Sequence, residues 1–580
     1  MAGRNAKRWS GRVTFRRRVI PGWCAAPDLR CAIAHRGISR FRVRCSASPR
    51  NDGSVCWPAL GSAFRRYQPS LSDEHQMGVE TEIKFRMPKR NLGSSYKLTV
   101  PGCKIGERAE SDLLSTYFDT RKHKLKRRGF LLRVRQTDGK HVQTIKKTSG
   151  AQFGRGEWET EIGGRAPDLD QANGTPLQRL ASNKLRRKLK PIFETSVHRI
   201  TLPVRTRRSE LELAIDHGKI NAAGRTSRIE EVELELKKGP ARDLFRVAKA
   251  LERKLAAELC LRAKADVGYD LVNGKRAQAV FAEPIELKKR MSAIEGFQVI
   301  ARSALRHFSG NADAVRKLDP EGVHQMRVGL RRLRAAISLF SEALAAAKTE
   351  EIKAELRWLT SELAHARELH VFLEEKIGPV AREITPRRGG KAIAKQFADK
   401  RAEALERARK AVDSPRCRVL LVDVLEWIEA QQGRTDTANT ELGEFAGKLL
   451  DRRIRKAQRD AGKLQEMTAP ERHKFRIRMK KIRYAVEFFE SLFRAKRDRK
   501  ALARLSKHAK KIQDALGSLN DFIADRKMAA EAALQAPPQN RRARAFVSGI
   551  IVGREDEQAR PLMKAAAKEL RALRHLSALG

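Results

Sequence analysis

Two short stretches carry a charge at every second position: Val79-Glu80-Thr81-Glu82-Ile83-Lys84-Phe85 and, far downstream, Glu231-Val232-Glu233-Leu234-Glu235-Leu236-Lys237. In an extended strand successive side chains point to opposite faces, so Glu80, Glu82 and Lys84 share one face and Glu231, Glu233 and Glu235 share another. The apolar residues between them form the reverse faces. A helix would scatter both sets around its circumference. One such strand usually turns its polar side to water.

The sequence between these stretches repeats the pattern with both signs of charge. Leu132-Arg133-Val134-Arg135 places two guanidiniums on one face, and Thr144-Ile145-Lys146 adds an amine. Gly156-Glu157-Trp158-Glu159-Thr160-Glu161 offers three carboxylates, and Glu210, Glu212 and Asp216 share a face of Glu210–Asp216. Acidic and basic strands in regular alternation fit a barrel whose inner wall is charged. Such an interior must hold water, metal or a charged ligand, because isolated buried charges cost several kcal/mol or more each. Carboxylates bind hard cations such as magnesium and manganese, whereas arginine and lysine bind phosphate. Both on one wall describe a metal-assisted phosphate site.

In order along the chain stand Glu80-x-Glu82-x-Lys84, Tyr117-Phe118-Asp119-Thr120, Leu132-Arg133-Val134-Arg135, Thr144-Ile145-Lys146, Arg155-x-Glu157-x-Glu159, Glu231-x-Glu233-x-Glu235 and Lys264-Ala265-Asp266-x-Gly268-Tyr269. This ordered set resembles the CYTH domain of the triphosphate tunnel metalloenzymes, over residues 77–274. The resemblance implies an eight-stranded antiparallel tunnel open at both ends. It implies Glu80, Glu82, Glu231 and Glu233 as metal ligands, with Asp216 and Glu235 as further candidates, and Mg2+ or Mn2+ as the ion. Lys84, Arg133, Arg135, Lys146, Arg199 and Lys264 would clamp the phosphates. Glu80, Glu82 and Lys84 would serve catalysis.

Beyond residue 290 strand alternation gives way to apolar repeats of helical period. His324-Gln325-Met326-Arg327-Val328-Gly329-Leu330-Arg331-Arg332-Leu333-Arg334 is matched by His473-Lys474-Phe475-Arg476-Ile477-Arg478-Met479-Lys480-Lys481-Ile482-Arg483. In both, basic residues follow the histidine at offsets 3, 7, 8 and 10 on neighbouring turns of one face. An apolar stripe, Met326, Leu330, Leu333, Ile337 and Phe340, then Phe475, Met479, Ile482, Val486 and Phe489, runs beside each cationic one. A single basic stripe is usually a solvated face. Two with the same offsets describe a shared site. No carboxylate or second histidine follows either histidine at i+4, so zinc is not indicated.

With Gln513-Asp514-x-Leu516-Gly517-x-Leu519-Asn520-Asp521, these repeats resemble the two-repeat helical CHAD domain, over residues 291–580. The family's acidic segment of the first repeat stands here as Arg367-Glu368-Leu369-His370. The resemblance implies binding of inorganic polyphosphate in a basic groove between the halves, with His324, Arg327, Arg331, Arg334, His473, Arg476, Lys480 and Arg483 as contacts.

The chain therefore reads as a multidomain α+β protein: an extension over 1–76, the tunnel over 77–274, a linker over 275–290 and an all-helical domain over 291–580. Residues 1–76 are Arg-rich, acid-poor and without sustained periodicity, and we expect natural translation to begin at Met77. A transit segment is the alternative. The net charge of +53 points to polyanionic partners, nucleic acid only as a non-specific one. Seven cysteines, odd in number and scattered, fit free thiols in a cytoplasmic protein. No apolar run is long enough to span a membrane.

The functional expectation is a metal-dependent triphosphatase cleaving inorganic triphosphate to diphosphate and phosphate, joined to a polyphosphate binder. Nucleoside or thiamine triphosphate hydrolysis and adenylate cyclisation stay open, although aromatic residues make up only 6% of the chain. A non-catalytic polyphosphate or nucleic-acid binder also stays open.

Overall fold

The computed structural model describes residues 76–88, 99–147, 155–274, 278–346, 348–385, 387–433, 435–461, 464 and 466–574, with only the backbone for 76–80, 155 and 461. The expectation of a non-native extension over 1–76 lies outside these residues, apart from Gln76.

The strands are β1 (Gln76–Glu80), β2 (Glu82–Arg86), β3 (Lys104–Ile105), β4 (Ala109–Thr120), β5 (Phe130–Thr137), β6 (Lys140–Lys147), β7 (Arg155–Ile162), β8 (Leu189–Arg205), β9 (Glu210–Ala222), β10 (Arg225–Lys238) and β11 (Glu258–Leu259). They form one antiparallel sheet of 11 strands in the order β1-β7-β6-β5-β4-β8-β9-β10-β2-β11, with β3 on β8. β1, which opens this order, and β2, which stands next to its far end, are two halves of one strand. β1 and β2 are separated only by Thr81, whose carbonyl accepts from the Leu236 amide at 2.9 Å. β1 pairs with β7 while β2 pairs with β10. Counted as one interrupted strand, they close a barrel with β7, β6, β5, β4, β8, β9 and β10, and the short β3 and β11 lie outside that ring.

Strand alternation sorts the wall. Ile83, Phe85, Leu213, Ile215, Val232 and Leu234 face outward and are buried against Leu244, Phe245, Ala248 and Leu251 of the helix Ala241–Leu255. Each such side chain contributes about 1.5–3 kcal/mol. Helical periodicity extends from Arg242 to Leu261, yet the helix stops at Leu255. Ala256 turns left-handed (φ 49°), and Glu258–Leu259 then pairs with β2. On the opposite flank, Phe118, Leu132, Val134 and Ile145 pack beneath Leu169, Leu177 and Leu185.

Residues 278–288 carry no regular secondary structure, and helices begin at Ala293–Ser309. The apolar core of the barrel's outer wall continues without a break into this helical region. Ion pairs reinforce the junction: Arg86 with Asp313 at 2.7 Å, Arg316 with Glu258 at 2.8 Å, Lys249 with Asp423 at 2.6 Å and Arg418 with Glu252 at 3.0 Å. The two repeat helices are Pro320–Leu339 and Ala469–Phe489, and all ten residues of their apolar stripes are buried. Among the described residues, Cys103, Cys260 and Cys417 are free thiols, and no helix is long and apolar enough to cross a membrane.

Candidate functional site

The inward faces of β2, β8, β9 and β10 bring three carboxylates together. Glu231 lies opposite Asp216 across β10 and β9, Glu233 lies opposite Lys84 across β10 and β2, and Arg199 lies opposite Asp216 across β8 and β9. Oxygens of Asp216, Glu231 and Glu233 fall within 4.8 Å of one another. Lys84 reaches Glu233 at 2.8 Å, while Lys264 reaches Asp216, Glu231 and Glu233 at 2.8, 2.9 and 2.6 Å. Arg199 grips Asp216 through two bonds of 2.7 Å and Glu233 through one of 2.6 Å. Buried Glu231 Oε2 is held by ion contacts to Lys264 at 2.9 Å and Lys84 at 3.7 Å rather than by a hydrogen bond.

These contacts decide the charge states. Burial opposes ionisation of Lys84, but Glu233, Glu231 and Glu82 override it and hold the amine well above the usual lysine range. Burial likewise opposes ionisation of Glu233, yet Lys264, Lys84 and Arg199 hold it well below the usual carboxylate range. Lys264 is raised in the same way, with Glu233 the largest attraction against burial.

A second inward cluster stands on β5, β6 and β7. Lys146 meets Glu157 at 2.7 Å, Arg133 approaches Glu157 and Glu159 at 3.3 and 3.5 Å, and Thr144 donates to Glu159 at 2.9 Å. Arg135 differs from these. Its hydrogen bond runs to Ser115 Oγ at 3.4 Å, and the Arg133 guanidinium, burial and Arg199 push it down to about 10. A buried cation facing two other guanidiniums is a binding surface for an anion.

The helix Lys264–Val272 fills part of the interior. Ala265 and Tyr269 pack among the inward-facing Leu113, Tyr117, Leu131, Phe193 and Val197, with the Tyr117 and Phe193 rings stacked at 4.4 Å. Gly268 is required by this fit, since a Cβ there would stand 2.4 Å from the Phe193 ring. The helix is therefore a partial plug, and the cavity runs on beside it to Arg128, Gly129 and Phe130. Asp119 anchors the plug: fully buried, it accepts from the Thr120, Leu125 and Lys126 amides at 2.6, 2.8 and 3.0 Å and from the Tyr269 hydroxyl at 2.9 Å. The Tyr-Phe-Asp-Thr and Lys-Ala-Asp-x-Gly-Tyr motifs thus meet, and the helix delivers Lys264 at its first residue.

Of the candidate ligands, the structure gathers Asp216, Glu231 and Glu233. Glu82 and Glu235 line the same cavity of about 830 Å³ farther along β2 and β10, where Lys237 contacts Glu235 at 2.7 Å and Glu212 at 3.6 Å. The Glu80 side chain lies outside those described. Lys84, Arg133, Arg135, Lys146, Arg199 and Lys264 all line the cavity. Glu157, Glu159, Thr144 and Tyr117 were absent from the candidate set. The alternation around Trp158 and Ile145 already marks three of them as inward-facing.

In the helical domain the two cationic stripes converge. Lys480 of the second repeat is pushed down to about 7 by burial, then by Arg331, Arg476, Arg334 and Arg483. Two of those arginines belong to the first repeat. Arg476 rests against Gly517, where an added Cβ would come within 3.3 Å of its Nε, and His473 bonds Asn520 at 3.1 Å. The Gln513–Asp521 motif therefore shapes one wall. Burial and Arg367 push His324 down to about 4, so this histidine faces the groove neutral. Arg357, which with burial lowers Arg334, and Arg367, which lowers Arg327, extend the cluster. Arg332 leaves it: buried, it contacts Glu487 at 3.3 Å and ties the repeats together.

Residues 78–264 match the family model of the CYTH domain and residues 299–530 that of the CHAD domain. An inorganic triphosphatase of Haemophilus influenzae is 32% identical over 201 residues, 34% of this chain and 56% of the relative. The chain thus spans little more than half the length of that relative. The solved CHAD domain of the plant Ricinus communis is 27% identical, covering 52% of this chain and 98% of its own, with a TM-score of 0.44. A Hippeastrum protein described as an adenylyl cyclase with a dominant triphosphatase activity is 19% identical, covering 34% and 97%, with a TM-score of 0.24.

Proposed function

The chain belongs to the proteins that join a CYTH domain to a CHAD domain, and on that premise we propose a metal-dependent inorganic triphosphatase whose helical groove holds inorganic polyphosphate. The observation that carries this reading is the carboxylate triad Asp216, Glu231 and Glu233, inside the same barrel whose cavity the guanidiniums of Arg133, Arg135 and Arg199 line. A simple polyanion receptor has no use for converging carboxylates.

Three carboxylate oxygen donors, paired here with lysine and arginine, suit a small hard cation, Mg2+ or Mn2+. Asp216, Glu231 and Glu233 would hold it. Bound there, the ion supplies charge neutralisation at phosphate oxygens and orients water.

The chain's own residues do the rest. Arg133, Arg135, Lys146 and Arg199 bind and orient the phosphates, since phosphoryl transfer depends chiefly on positioning and charge stabilisation. Water attacks a terminal phosphorus, the bridging P–O bond breaks with its electron pair going to the departing diphosphate oxygen, and a proton of the water passes to that oxygen. Lys84 and Lys264 stay protonated, so they donate hydrogen bonds and take no proton. Glu159 is also held low: Arg133, Thr144 and Arg135 outweigh the effect of its burial. With Glu233 and Glu159 both poor proton acceptors, the tunnel works by electrostatics more than by general-base catalysis.

Polyphosphate in the groove is supported by Lys480, which lies among the four guanidiniums of Arg331, Arg334, Arg476 and Arg483. A repeating phosphate chain neutralises such a cluster without offering a base edge to read. Turnover of triphosphate against ATP and thiamine triphosphate tests the tunnel reading. Competition between labelled polyphosphate and duplex DNA tests the groove. Preference for the nucleotide, or equal displacement by DNA, contradicts the corresponding half.

A further inference from the structure

The cavity inside the barrel continues past the barrel's own strands. Its lining runs on to Glu283, Pro284, Ile285 and Glu286 in the segment after the plug helix, and to Val299, Ser303 and Arg306 on the helix Ala293–Ser309. That helix belongs to the helical domain and packs on the first repeat helix, with His307 Nε2 and Gln325 Oε1 3.1 Å apart. One helix therefore borders both the tunnel and the groove helix.

Arg306 is weakly committed within the protein. Its Nε is buried without a hydrogen-bond partner, and its ion contact, Nη1 to Glu283 Oε2, spans 3.5 Å. Glu283 is itself 65% exposed, so the contact holds little energy. Arg302, one turn earlier, shows the contrast: it grips Glu429 through bonds of 2.5 and 2.6 Å. A guanidinium left this free in a cavity wall suits a doubly hydrogen-bonded phosphate.

We infer that Arg306 is a phosphate-binding residue of the tunnel, contributed by the helical domain, which engages the substrate chain where it leaves the barrel. The inference rests on the triphosphatase reading above. Glu283 holds the guanidinium when substrate is absent and is displaced by a phosphate. The helical domain thereby completes the substrate site and bears on chain-length preference.

The test is steady-state phosphate release by the intact chain from triphosphate and tetraphosphate at saturating magnesium. Arg306→Gln is expected to raise KM about tenfold with kcat within about twofold, the size of one charged hydrogen-bond pair. Arg306→Lys recovers part of the loss. Glu283→Gln, which removes the competitor, lowers KM. A purely structural contact would move both variants the same way. Turnover with an unchanged KM in Arg306→Gln overturns this inference alone. No turnover by the unsubstituted protein overturns the triphosphatase reading and this inference with it.

Discussion

Lys84 and Glu233 are direct cross-strand neighbours on β2 and β10, and their side chains meet at 2.8 Å on the inner wall. This one contact joins the two charge-alternating stretches, 149 residues apart in sequence by their numbering. It also places Glu233 among Lys84, Lys264 and Arg199.

Glu233→Gln leaves three buried cations short of a counter-charge. The expected cost is about 3 kcal/mol of stability, in the range for breaking a buried pair. Glu233 is held low in the folded state, so its contribution is full above the ordinary carboxylate range, about pH 4.3. It is lost as pH falls through the depressed folded value. Urea midpoints against pH should therefore differ between parent and variant at pH 6–8 and converge in strong acid. A constant difference would count against this account.

Lys264 occupies the carboxylates that a metal would use. Lys264→Met should strengthen Mn2+ binding measured calorimetrically without substrate, while weakening triphosphate binding. Weaker metal binding in that variant would place the metal elsewhere.

Asp119 accepts four hydrogen bonds, one of them from the plug helix. Asp119→Ala should cost about 3 kcal/mol, because several buried donors lose their acceptor. Tyr269→Phe removes one bond and should cost about 1 kcal/mol. Thermal melts measure both, and equal losses would show that Asp119 does not unite the two motifs.

Lys480, held at about 7 in the free groove, gains a proton when a polyanion binds. Polyphosphate affinity should be flat below pH 7 and fall as pH rises above it, by up to about tenfold per pH unit. Lys480→Met should lose that dependence. The folded value is depressed, so the charged lysine lowers stability fully below pH 7 and less as pH climbs towards 10. The variant should accordingly melt higher at neutral pH. A pH-independent affinity in the parent would remove Lys480 from the site.

Much of the tunnel was legible because a strand buried on one face must alternate. Period two alone marks Lys84, Arg133, Arg135, Glu231 and Glu233 as lying on charged strand faces, and the closed ring is what the resemblance of the ordered motifs implies. The plug was not legible. Its meaning depends on Tyr269 meeting Asp119, 150 positions away, and on Gly268 clearing Phe193. Arg306 was hidden for a similar reason, since no local pattern separates it from Arg302 on the same helix. Arg332 belongs to the repeated basic offsets yet is buried, because it serves the joint between repeats. Spacing identifies a face, and only packing says what covers it.

The most direct test is phosphate release from inorganic triphosphate by the intact chain, with magnesium or manganese and again with chelator, in the parent and in Glu231→Gln. The account predicts release that requires the metal and falls at least about a hundredfold in the variant, the scale of losing one preorganised electrostatic group. Release that survives chelator, or a variant as active as its parent, would contradict it.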